Sequence, residues 1–181
     1  QQVTSLSGTK PRVGVVGLGA MGMGTATALL ECGFEVTGCD VSEKARAGFE
    51  HAGGRTVSAL AELAAKSDVV LLVVVNAAQV EQVLFGESGL LAGLKPGSLV
   101  IQCATVAPAI ARDLAERLGQ AGIEMLDAPI SGGAAKARAG QLSVMASGST
   151  DAFGLAEPVL DAMAATVYRL GDAPGIGSSM K

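Results

Sequence analysis

Val13-Gly14-Val15-Val16-Gly17-Leu18-Gly19-Ala20-Met21-Gly22 is the stretch on which the fold turns, and an alanine-rich run, Met23 to Cys32, follows it without a gap. The short apolar run reads as a strand and the alanine-rich one as a helix, so a GxGxxG loop stands between them. Glycine is needed where the turn is tight, where backbone must approach a diphosphate, and where helix and strand pack closely. The free N–H groups and positive dipole end of the helix then hold an anion without any lysine. Read this way, Gly17, Leu18, Gly19, Ala20, Met21 and Gly22 are cofactor-binding candidates; the competing reading is a glycine-rich turn with no ligand.

Asp40 closes the next β-branched run 18 residues after Gly22, close to the spacing of about 20 at which an acidic residue accepts hydrogen bonds from an adenosine ribose. Its charge repels the extra phosphate of NADP, so NAD is expected and NADP is disfavoured, although Lys44 and Arg46 leave room for a phosphate. The alternative makes Asp40 a solvated residue ahead of a Ser42 helix cap.

Further out, β-branched runs alternate with stretches of helical length, the sign of a parallel sheet covered by helices. Strands are expected at Arg12 to Val16, Glu35 to Cys39, Val69 to Val75, Leu99 to Gln102, Glu124 to Asp127, Leu142 to Ala146 and Thr166 to Arg169, with a weak one near Arg55 to Val57. Val69 to Val75 is apolar throughout, as a strand buried on both faces should be. Helices are expected from Ser42-Glu43 to His51, from Ser58 to Lys66, after Pro108 to Gln120, and from Thr150 or Asp151 to Met163. The predicted class is α/β, a Rossmann-type doubly wound and mainly parallel sheet. Residues 1–11 read as a polar tail, 12–171 as the dinucleotide-binding domain and 172–181 as the start of a linker. Ligands of this architecture bind at the carboxyl edge of the sheet, which adds Val74, Val75, Asn76 and Thr105 to the cofactor candidates. A hydroxyl that only starts the Pro108 helix is the plainer account of Thr105.

Composition narrows the function. The 181 residues include 25 Gly, are 49% hydrophobic and 17% charged, and carry a net charge of −4 with four Phe, one Tyr and no Trp. That excludes disorder and leaves neither the basic field nor the stacking aromatics of a nucleic-acid binder. The longest apolar run is Val69 to Val75, too short to cross a bilayer. Three cysteines without paired spacing point to a reducing, cytoplasmic setting with no disulfide and no metal site. The single histidine, His51, reads as a surface residue at a helix end.

Together with the glycine loop, Asp127-Ala128-Pro129-Ile130-Ser131-Gly132-Gly133 and the stretches Gly38-Cys39-Asp40, Val75-Asn76-Ala77-Ala78-Gln79-Val80-Glu81 and Gly132-Gly133-Ala134-Ala135-Lys136-Ala137 give a chain that resembles the β-hydroxyacid dehydrogenase family over nearly all of Arg12 to Lys181. The resemblance is nearest to the L-threonate-oxidising branch. It implies that Ser131, Gly132 and Gly133 bind the substrate, and that Lys181, reached through Gly175 and Gly177, is the catalytic acid/base. Without it, Ser-Gly-Gly is a flexible turn and a terminal lysine is solvated.

The implied substrate is a small hydroxy acid, L-threonate first, with 3-hydroxyisobutyrate or tartronate semialdehyde as alternatives; a noncatalytic nucleotide-binding module is the rival from another class. The chain departs from many relatives at Val74-Val75 and Cys103-Ala104-Thr105, and Lys136 and Arg138 are cations that either meet an anionic ligand or lie on a solvated helix face. The family continues past the lysine into a long helix and an all-helical second domain that are absent from these 181 residues. The expectation is therefore a fragment that binds NAD and turns over little, with a homo-oligomer formed by the full-length protein.

Overall fold

The computed structural model describes residues 10–176. Strand β1 (Val13–Val16) leads into α1 (Ala20–Glu31), and β2 (Val36–Cys39) into α2 (Glu43–His51). The chain continues through β3 (Arg55–Thr56), α3 (Leu60–Ala65), β4 (Val69–Leu72), α4 (Ala77–Phe85), a 3-10 turn (Leu90–Ala92), β5 (Leu99–Gln102) and α5 (Pro108–Gln120). It closes with β6 (Glu124–Asp127), β7 (Ile130–Ser131), α6 (Gly133–Arg138), β8 (Leu142–Ser147), α7 (Thr150–Met163) and β9 (Ala164–Gly171).

The strands form one sheet in the order β3-β2-β1-β4-β5-β6-β8-β7, with β9 on β8. Strands β3 to β6 along that order pair in parallel, β8 runs antiparallel to β6 and β7, and β9 returns parallel to β8. β1, β4 and β5 are buried at every position because helices cover both faces. Their side chains divide with the two-residue period of a strand. Val69, Leu71, Leu99 and Ile101 join one core with α1 and α7, while Val70, Leu72 and Val100 join the other with α3, α4 and α5.

Chain order reverses between β1 and β4, which opens a crevice at their carboxyl ends.

Several expected boundaries move. The apolar run predicted as a strand from Val69 to Val75 leaves the sheet at Leu72. Val73 still donates its N–H to Val16 O at 2.8 Å, but its neighbours β1 and β5 are four residues long and offer no further partners. The chain then turns into α4, where Asn76 Oδ1 accepts the Gln79 N–H at 2.9 Å and Gln79 Oε1 accepts the Val75 N–H at 2.7 Å. Helix α1 begins at Ala20, inside the glycine loop, rather than at Met23. The Ser-Gly-Gly turn is more ordered than a flexible turn, for Ser131 of β7 pairs with Ser143 of β8 and a six-residue helix, α6, starts at Gly133. Gly132 and Gly133, at φ +136° and +80°, make the sharp change of direction between them that a side chain would resist.

Candidate functional site

The three loop glycines meet three different environments. A Cβ on Gly17, whose φ is +97°, would lie 2.1 Å from Val73 O, and one on Gly22 would lie 1.8 Å from Gly17 O. Both are filled by the protein's own backbone. Beyond its chain neighbours and the backbone of α1, no atom of the described residues lies within 4 Å of a would-be Cβ on Gly19, and Gly19 and Ala20 are exposed. Internal packing therefore demands two of the glycines, and the third faces open space.

The first bond of α1 is donated by Met23 N to Gly19 O at 2.7 Å, so the amides of Gly19, Ala20, Met21 and Gly22 precede the helical ladder. Among the described residues no side chain caps them. A short cradle of amides at a positive dipole end, roofed by nothing at Gly19, is chemically suited to a diphosphate.

Asp40 lies beside this cradle. Its Oδ2 accepts the Leu18 N–H at 2.7 Å and its Oδ1 accepts the Ser42 N–H at 2.8 Å. Each oxygen keeps a second acceptor position, so the carboxylate can still take ribose hydroxyls. Arg46 is held at the same place, its Nη1 donating to the Asp40 carbonyl at 2.7 Å. Burial raises the thiol pKa of neighbouring Cys39.

Two exposed aliphatic side chains are informative, Val75, a cofactor candidate from the sequence, and Val41, which the sequence reading did not single out. Val41, 101% exposed, follows Asp40 after β2, and Val75, 81% exposed, follows β4. They stand on the two loops that flank the glycine loop, where apolar side chains exposed to water gain by covering a flat heterocycle. Only the fold reveals this, since the sequence carries no mark of exposure. Asn76 is exposed and commits its Oδ1 to the α4 cap; the Asn76-to-Gln79 spacing was the available signal for that cap.

Thr105 is exposed in the loop between β5 and α5 at the same sheet edge. Ser131, Gly132 and Gly133 lead into α6, which packs on α1 at Gly24, where the Ala134 carbonyl approaches to 3.2 Å of a would-be Cβ. Arg138 bonds both carboxylate oxygens of Glu31, at 2.9 and 2.7 Å, and so ties α6 to the end of α1. Lys181 lies outside the described residues. Asp127, in the stretch before the Ser-Gly-Gly turn, is fully buried at the end of β6, and its Oδ2 accepts the Gly175 N–H at 3.1 Å. Among the described residues no cluster of three His, Cys, Asp or Glu is placed to hold a metal ion, and no helix is long and apolar enough to cross a membrane.

The family model described as the NAD binding domain of 6-phosphogluconate dehydrogenase matches residues 12–171. The L-threonate dehydrogenase of Cupriavidus necator is 52% identical over 169 residues, which cover 93% of this chain and 57% of that protein. That of Escherichia coli strain K12 is 49% identical over 176 residues, 97% of this chain and 58% of that protein. A crystal structure described as 3-hydroxyisobutyrate dehydrogenase from Salmonella typhimurium matches with a TM-score of 0.90 at 45% identity, over 93% of this chain and 59% of that one. The chain thus spans less than three-fifths of the length of these relatives.

Proposed function

The chain belongs to the family of the NAD binding domain of 6-phosphogluconate dehydrogenase, and from that premise we propose that it is the cofactor-binding part of a dehydrogenase that oxidises L-threonate. The observation that carries the reading is the junction of Asp40 with the glycine loop. A carboxylate held by the Leu18 amide beside uncapped helix amides, with open space at Gly19, forms a receptor for the two ends of an adenosine diphosphate. The substrate follows from the L-threonate dehydrogenases that are 52% and 49% identical to this chain.

In this proposal the amides from Gly19 to Gly22 hold the diphosphate, Leu18 shapes the turn, and Asp40 accepts the ribose hydroxyls and disfavours the extra phosphate of NADP. Val74, Val75, Asn76 and Thr105 line the path from the glycine loop along the carboxyl edge. The chemistry supplied by bound NAD is hydride acceptance. Ser131 and the backbone of Gly132 and Gly133 hold the substrate, with the hydroxyl and amide groups directed to its carboxylate or hydroxyls. Lys181 takes the hydroxyl proton at Nζ as the alkoxide develops, and returns it in the reverse direction; a general acid/base so placed contributes about 10²- to 10⁴-fold to rate. We extend the proposal to residues 12–171 as the domain, to 172–181 as the start of a linker, and to a cytoplasmic homo-oligomer for the full-length protein. The exposed free thiol of Cys32 fits a reducing compartment.

Titration calorimetry of this chain tests the cofactor part: NAD is expected to bind at least tenfold more tightly than NADP, and no heat with either overturns it. A rate panel on the natural polypeptide tests the substrate part. Oxidation of L-threonate is expected to exceed that of 3-hydroxyisobutyrate and the reduction of tartronate semialdehyde. The 3-hydroxyisobutyrate reading, supported by the Salmonella typhimurium structure, replaces it if that order is reversed.

A further inference from the structure

The two cations beyond the Ser-Gly-Gly turn part company in the fold. Arg138 commits its guanidinium to Glu31, bonding both carboxylate oxygens at 2.9 and 2.7 Å. Lys136 is exposed and, among the described residues, has neither an ion pair nor a side-chain hydrogen bond. Its stem lies on the turn itself. A Cβ on Gly132 would lie 3.1 Å from both Cβ and Cδ of Lys136, so the side chain leans back along α6, as helical side chains do, onto the residue four positions before it. Gly132, at φ +136°, has no side chain to hold it off. The ammonium follows Cδ by two bonds and so stays beside Gly132, in a turn whose three residues, Ser131, Gly132 and Gly133, are all exposed.

The helix that carries Lys136 is fixed from behind. A Cβ on Gly24 of α1 would lie 2.8 Å from Arg138 N and 2.9 Å from Ala137 Cβ, which seats α6 on α1 two residues past the glycine loop. Ala137 is fully buried, and the Gln141 N–H donates to Lys136 O at 2.8 Å where α6 ends. The direction of the lysine does not serve the helix, because it leans away from the carboxyl end, where a cation is favoured. It does suit an anion. The net charge of −4 repels a carboxylate substrate at long range, and Lys136 is the one charged residue in the run Ser131 to Ala137.

We propose that Lys136 is a specificity-determining residue: its Nζ binds the carboxylate of the hydroxy acid held at Ser131, Gly132 and Gly133, so that the site selects the acid over an uncharged analogue of the same shape. The inference rests on the reading of those three residues as the substrate turn. No proton passes through Lys136; it holds ground state and transition state alike.

The test uses the natural polypeptide that carries this sequence, with NAD and L-threonate, and with L-threonamide, the uncharged amide of that acid, as a competitor. Lys136→Met keeps the stem and removes the charge. It is expected to raise the KM for L-threonate about 10- to 100-fold, the scale of a lost hydrogen bond between charged groups, with kcat unchanged as the loss of uniform binding requires. Inhibition by L-threonamide, NAD affinity by calorimetry and Tm are expected to match the parent. Lys136→Arg, which keeps a cation, is expected to recover part of the loss, and Arg138→Ala, whose cation belongs to Glu31, to leave KM as it was. An unchanged KM in Lys136→Met overturns the proposal. Equal weakening of acid and amide overturns it too, because the stem and not the charge would then be responsible, and so does a loss of NAD affinity, which would move the cation to the cofactor. Ser131→Ala separates the two readings. A raised KM there beside an unchanged one in Lys136→Met removes Lys136 alone, whereas an unchanged Ser131→Ala beside a raised KM in Lys136→Met removes the turn and leaves the contact between lysine and carboxylate standing.

Discussion

The Asp40 carboxylate accepts the Leu18 amide at 2.7 Å, joining the end of β2 to the glycine loop across 22 residues of sequence. One side chain thereby ties the end of β2 to the glycine loop and to the start of α2. Asp40→Ala removes the acceptor for the Leu18 and Ser42 amides together. Stability is expected to fall by about 1–3 kcal/mol, and NAD affinity by at least tenfold. Asp40→Asn is expected to narrow the preference for NAD over NADP, as measured by calorimetry with each.

Gly19 and Gly22 separate a ligand requirement from a packing requirement. Gly22→Ala drives a methyl to 1.8 Å from Gly17 O and is expected to destabilise by about 3 kcal/mol or more, lowering Tm by about 10 °C. Gly19→Ala meets nothing within 4 Å and is expected to melt within about 1 kcal/mol of the parent while NAD binding is lost. Equal effects of Gly19→Ala on melting and binding would show that no ligand approaches there.

Arg138 is bonded to Glu31 across the α1–α6 contact, and both side chains are more than half exposed. Arg138→Ala is expected to cost less than about 1 kcal/mol in a urea melt and to leave NAD affinity and the KM for L-threonate unchanged. A rise in KM would reassign the cation to the substrate.

The Arg12–Asp68 pair makes stability depend on pH at the other end of the sheet. Arg12 bonds and charge hold the Asp68 carboxyl below its usual 3.8. Because the folded pKa lies below the unfolded one, the contribution is complete above about pH 5 and is lost as pH falls through the folded value. Asp68→Asn is expected to flatten the decline of Tm between pH 5 and pH 2. The pair is exposed, so the effect is expected to be small.

Most of the strands, the mainly parallel sheet and the glycine loop were legible in the residues alone, because each is set by local chemistry, whereas α4, β7 and α6 were not among the expected elements. Val13 to Val16 form an apolar strand, glycines stand where the backbone must turn or close up, and Asp40 ends the next strand at a fixed distance along the chain. Ser42 and Pro108 mark helix starts for the same local reason. Tertiary structure decided what depends on neighbours. Val73 to Val75 have the chemistry of a strand but leave the sheet where β1 and β5 run out of partners, and Val75 becomes exposed as a result. Ser131 and Gly132 read equally well as a loose turn until β8 supplies a ladder. Asp127 is an ordinary acidic residue in sequence; only the return of the chain from β9, 48 residues later, places the Gly175 amide against it. Hydrogen bonds and burial between distant segments have no periodicity to read, and they determine which of the polar residues are held in place and which face a ligand.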